Sequence, residues 1–88
     1  MLTKDEQQDR ERRMYGCTAA QIDEALAGKD PRDVAMYAMS VLSDAQELIA
    51  RYEDLPRPEW TFETRHAVQT IRQLMNVAKY TIDKAVPR

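Results

Sequence analysis

The chain has 88 residues, 43% hydrophobic and 32% charged, with a formal net charge of −2 at pH 7. That length predicts one small domain, and the near-neutral charge argues against a general nucleic-acid binder. No apolar run is long enough to cross a bilayer, and the lone Cys17 has no intrachain partner, so a reducing, cytoplasmic setting is expected.

Residues 1–6 turn polar at once, with no leader-like apolar stretch. The first helix is predicted over residues 4–15. Thr3-Lys4-Asp5-Glu6 has the form of a capping box, and Glu6–Arg10 and Asp9–Arg13 stand at i,i+4. Apolar groups arrive only at Met14 and Tyr15, which makes this the least anchored element expected. Gly16 is a natural helix stop. Thr18-Ala19-Ala20-Gln21 repeats the capping pattern and opens a short helix over residues 19–27, with Ile22, Ala25 and Leu26 turned inward and Gly28 ending it.

Asp30-Pro31-Arg32-Asp33 supplies a cap, a proline at the first helical position and an acid in the first turn. The third helix is predicted over residues 31–53. Val34, Ala38, Val41, Ala45, Leu48 and Tyr52 recur there at the helical period, and Ala35, Leu42 and Ile49 widen the apolar arc to about 160°. Leu55-Pro56-Arg57-Pro58 breaks the helix. A fourth helix follows over residues 62–86, with Ala67, Ile71, Leu74, Ala78, Ile82 and Ala85 inside, Val68, Met75 and Val86 on the shoulder, and Pro87 as the stop.

No segment alternates with period two. The predicted fold is therefore all-α: a four-helix domain built on a long antiparallel hairpin of the third and fourth helices, with two shorter N-terminal helices, the second lying across one end. Alanines 38, 45, 67, 78 and 85 are expected to let the hairpin backbones approach closely. Residues 17–54 carry a net charge of −5 and residues 55–88 a net of +3, so charge complementarity is expected to assist their docking.

The residues that carry chemistry are few. His66 has Glu63, Gln69, Thr70 and Gln73 at helical spacings, and one histidine with one carboxylate does not make a metal site. Cys17 lacks a nearby base or a resolving cysteine. Asp44 and Glu47 resemble one acidic pair of a magnesium-dependent helical hydrolase. The second pair is missing, because Glu63 and Asp83 on the fourth helix are nearly six turns apart. No phosphate loop, Gly-x-Ser-x-Gly or Cys-x-x-Cys occurs. No enzymatic activity, metal or cofactor is expected.

The leading expectation is a non-enzymatic module that binds a protein partner or a second copy of itself. Met36 and Met39 lie off the inner arc of the third helix, and Val77 and Tyr80 off that of the fourth. Trp60 and Phe62 flank the proline turn, where they are expected to cap the open end of the core, Trp60 being the stronger contact candidate. In size and style the chain is like accessory proteins of phages and mobile elements, including inhibitors of larger host proteins. The alternative is a small DNA-associated regulator using the second and third helices as a helix-turn-helix, with Arg10, Arg12, Arg13 and Arg32 on phosphates. Four interleaved acids weaken that basic cluster, and nucleic acid is the less favoured partner.

Overall fold

Four helices make up the computed structural model, which describes residues 2–86: α1 (Lys4–Tyr15), α2 (Ala19–Leu26), α3 (Pro31–Glu53) and α4 (Phe62–Ala85). A single 3-10 turn, Arg57–Glu59, lies between α3 and α4. The protein is all-α, with no strand among the described residues. α3 and α4 form the long antiparallel hairpin, and theirs is the dominant packing in the molecule.

The helix starts follow from local chemistry. The Thr18 hydroxyl accepts from the Gln21 amide while the Gln21 side chain accepts from the Thr18 amide, so that capping box is complete. At α1 the box is half formed: Thr3 Oγ1 accepts from the Glu6 amide at 3.2 Å, and Asp5 and Glu6 supply first-turn negative charge. Asp30 Oδ1 accepts from the Arg32 amide at 2.9 Å, with Pro31 preset for the first turn of α3. Thr61 caps α4 by accepting from the Thr64 amide at 3.2 Å. The predicted stop at Pro87 lies outside the described residues; α4 runs to Ala85, with Val86 as its cap.

The core is narrow. Ala35, Ala38, Ala45 and Ile49 of α3 meet Val68, Ile71, Ala78 and Thr81 of α4 as the buried residues of the hairpin. The tightest cluster, Ala45, Ile49, Val68 and Ile71, sits toward the proline turn, with Tyr52, Trp60 and Met75 packed on it. Among the described residues no large side chain is sealed completely from solvent. Apolar packing joins the two helices. The Arg72–Glu53 ion pair spans them at 3.6 Å with both side chains more than half exposed, which limits its worth to about 1 kcal/mol or less.

Three inward assignments are corrected. Leu48 and Leu74, placed on the inner arcs by periodicity, are exposed, because each lies on the flank of a stripe wider than one facing helix covers. Ala25 of α2 is likewise exposed, while Ile22 is buried and Leu26 half-buried.

α1 has no buried residue, as its charged sequence dictates, yet its C-terminal end is fixed. An α-helix leaves its last four carbonyls without intrahelical partners. The Gly16 amide donates to Arg12 O at 2.8 Å, Gln73 Nε2 to Arg13 O at 3.2 Å, and Asn76 Nδ2 to Met14 O at 2.9 Å. The Cys17 thiol lies 4.0 Å from Tyr15 O. Two amide side chains of α4 therefore complete the end of α1. Glu11 Oε1 in turn accepts from the Ala19 amide at 2.7 Å, locking the corner between α1 and α2.

Candidate interaction cleft

The wide apolar stripes of α3 and α4 have a consequence on one side of the hairpin. Val34, Tyr37 and Val41 of α3, Leu74 and Val77 of α4, and Leu26 at the end of α2 surround an open cleft of about 600 Å³. Its floor is made by Ala38 and Ala78, whose small side chains bring the helices together and leave depth above them. Lys29, Asp30 and Asp33 stand at one end, and the Thr81 hydroxyl donates to Val77 O at 2.8 Å, so the cleft is mostly apolar with a charged end. Tyr37 is 75% exposed and Leu74 47% exposed beside it.

The residues singled out from sequence fall into three places. Val77 lines this cleft. Met36 and Met39, 65% and 51% exposed, line a second open depression of about 650 Å³ with Pro31, Arg32, Ala35 and Val86, a separate group of side chains that shares only Asp30 with the first. Tyr80 belongs to neither. Its hydroxyl donates to Asp23 Oδ1 of α2 at 2.8 Å, its ring meets Tyr15 of α1 at 5.6 Å, and the Lys84 ammonium lies 5.5 Å from the ring centre. Partial burial and the Asp23 carboxylate push the Tyr80 phenol up to about 12. Tyr80 is thus an internal strut joining three helices.

Trp60 does close the open end of the hairpin, half-buried on the core cluster, with its indole N–H donating to Leu55 O at 3.0 Å and Arg57 over its ring. Phe62 does not. It is 82% exposed and lies nearly parallel to the His66 ring one turn on, at 6.4 Å, because as the first residue of α4 it points outward.

The groups considered for chemistry or nucleic acid remain dispersed. Among the described residues no three His, Cys, Asp or Glu side chains are grouped to hold a metal ion. Asp44, Glu47 and His66 are exposed, and Cys17 is half-buried. Arg10, Arg12, Arg13 and Arg32 are exposed, with Arg12 paired to Asp9 at 3.3 Å. α2 is tied to α1 through Glu11 and to α4 through Tyr80, and α3 touches it less than α1 does.

Sequence reasoning passed over Tyr37 and took Leu74 for core. The signal that finds them is the width of the stripes: an arc of about 160° exceeds what one partner helix covers. No helix of the described residues is long and apolar enough to cross a membrane. Comparison with protein-family models, curated proteins and solved structures yields no match.

Proposed function

We propose that this chain is a non-enzymatic interaction module that works by seating a protein surface in the cleft between α2, α3 and α4. The observation that carries this reading is the cleft itself: apolar walls, an alanine floor and large exposed side chains at its lip. A protein pays about 25 cal/mol for each square ångström of apolar surface left in water, so such a face is stabilised by being covered. Cytoplasmic action suits the single thiol, which has no disulfide partner in the chain. The size of the chain suits an accessory protein that acts by occupying a surface.

A photoreactive aromatic amino acid placed at Tyr37, in the cells where the protein is made, tests the reading. Discrete covalent adducts that vanish when Leu74→Glu is added are expected. Illumination yielding no adduct would reject the module. Salt-sensitive DNA binding, abolished when Arg10, Arg12 and Arg13 are replaced together, would also overturn it in favour of a DNA-associated regulator.

A further inference from the structure

Residues 2–27 form an arm that is joined to the hairpin far more loosely than α3 is joined to α4. Among its described residues Thr18 and Ile22 alone are buried, and the Thr18 hydroxyl is engaged in its own capping box. Within the arm, α2 packs on α1 more than on α3 or α4, and the Ala19 amide donates to Glu11 Oε1 at their corner. The arm rests on one stripe of α4. Gln73 and Asn76 donate to Arg13 O and Met14 O of α1, while Tyr80, one turn on, donates to Asp23 of α2 and meets the Tyr15 ring of α1. α2 passes to α3 through Ala27, Gly28, Lys29 and Asp30, all exposed. Gly28 holds a φ of +78°, and a Cβ there would meet nothing within 4 Å, so the linker stands clear of the fold.

We infer that α1 and α2 form one hinged strap, which swings on Gly28 and takes a wall of the cleft with it. Leu26, at the end of α2, lines the cleft, and α3 and α4 supply its other apolar walls. With the strap docked the cleft has three walls; with the strap released, a two-helix groove remains. Release breaks the few hydrogen bonds to α4 and exposes Ile22, whereas parting α3 from α4 exposes the whole core. Elements with few buried contacts open at the low end of a protein's free-energy range, so the strap opens while the hairpin stays closed. Its two helices leave together, because Tyr80 touches both and the Glu11 corner ties them. Gly28 is the pivot, since the docked position alone requires its left-handed backbone. The inference goes beyond the interaction reading and stands without it: a missing Tyr37 crosslink removes the module and leaves the strap untouched.

Native-state hydrogen exchange on the full chain tests this. Amides of α1 and α2 are expected to be at least about tenfold less protected than those buried in α3 and α4. Reciprocity is the decisive sign. Tyr80→Phe removes only the tie to α2, yet exchange is expected to quicken about fivefold in α1 as well. Asn76→Ala removes only a tie to α1, and α2 is expected to quicken by a similar factor. Gly28→Ala strains the docked backbone and is expected to quicken both helices about fivefold while leaving α3 and α4 unchanged. Variants that act only on the helix they touch overturn the single strap, as does an α2 protected as strongly as the hairpin core. The link to the cleft has its own readout. Leu26→Cys in a Cys17→Ser background places a single thiol on the cleft wall, and Asn76→Ala is expected to speed its alkylation in step with the amides. Alkylation that stays slow while the amides quicken overturns the moving wall.

Discussion

Tyr80 shows how one side chain can look like a contact residue in sequence and act as a strut in the fold. Its hydroxyl ties α4 to Asp23 of α2 while its ring rests on Tyr15 of α1. Tyr80→Phe removes the hydrogen bond and keeps the ring, so a loss of about 1 kcal/mol is expected in denaturant unfolding. The pH dependence has a definite sign. The folded phenol titrates near 12, above its ordinary value of 10, so the strut is fully present below pH 10 and is lost as pH rises from there through about 12. Ultraviolet titration of phenolate is expected to show a late component that is absent in Tyr80→Phe. Gly16 makes a comparable point. Its φ of +77° belongs to the left-handed region, and a Cβ there meets Gln73 Oε1 at 3.3 Å. Gly16→Ala is therefore expected to cost about 1 kcal/mol and to disturb the Gln73–Arg13 hydrogen bond.

At the scale of the element, α1 is the informative case. Twelve mostly charged residues form a marginal helix in isolation, and nothing in α1 is buried to offset that. What holds it is polar: Gln73 and Asn76 supply donors to its last-turn carbonyls. Replacing both with alanine is expected to abolish amide-exchange protection across α1 while leaving α3 and α4 protected. Protection retained in α1 would mean that the Tyr15–Tyr80 contact and the Glu11 tie suffice. The hairpin seam gives a second test. Ala45 lies buried in the tight cluster, so Ala45→Leu is expected to cost about 1–3 kcal/mol by overpacking. Ala78 forms part of the cleft floor, so Ala78→Leu has open space to lean into and is expected to cost less. Thermal melts that rank the two variants the other way would refute this division of the seam.

For the whole molecule, the central fact is the mismatch between apolar stripe and partner helix. Two wide stripes facing each other bury only their shared middle, leaving a thin core and an open flank. A molecule of this kind gains stability from whatever covers the flank. A partner that binds this flank in the folded state is therefore expected to raise the melting temperature of the wild type and to leave that of Leu74→Glu unchanged.

The all-α class, the helix order and the helix starts at Thr3, Thr18 and Asp30 were legible in the sequence, because helical periodicity, caps and proline breaks are local and act through residues three or four apart. Ala38, Ala45 and Ala78 of the alanine seam were legible for the same reason, whereas Ala67 and Ala85 are only half-buried. The Thr61 cap was overlooked, though Thr61 precedes the fourth helix in plain view. The places of the candidate contact residues were decided only by the tertiary structure. Met36, Val77 and Tyr80 all lie off the inner arcs, yet one is open, one lines a cleft and one braces three helices. Periodicity gives the direction of a side chain around its own axis, whereas exposure depends on which other helix arrives there. That arrival was settled by contacts about sixty residues apart, Gln73 to Arg13, Asn76 to Met14 and Tyr80 to Asp23, which no local pattern encodes.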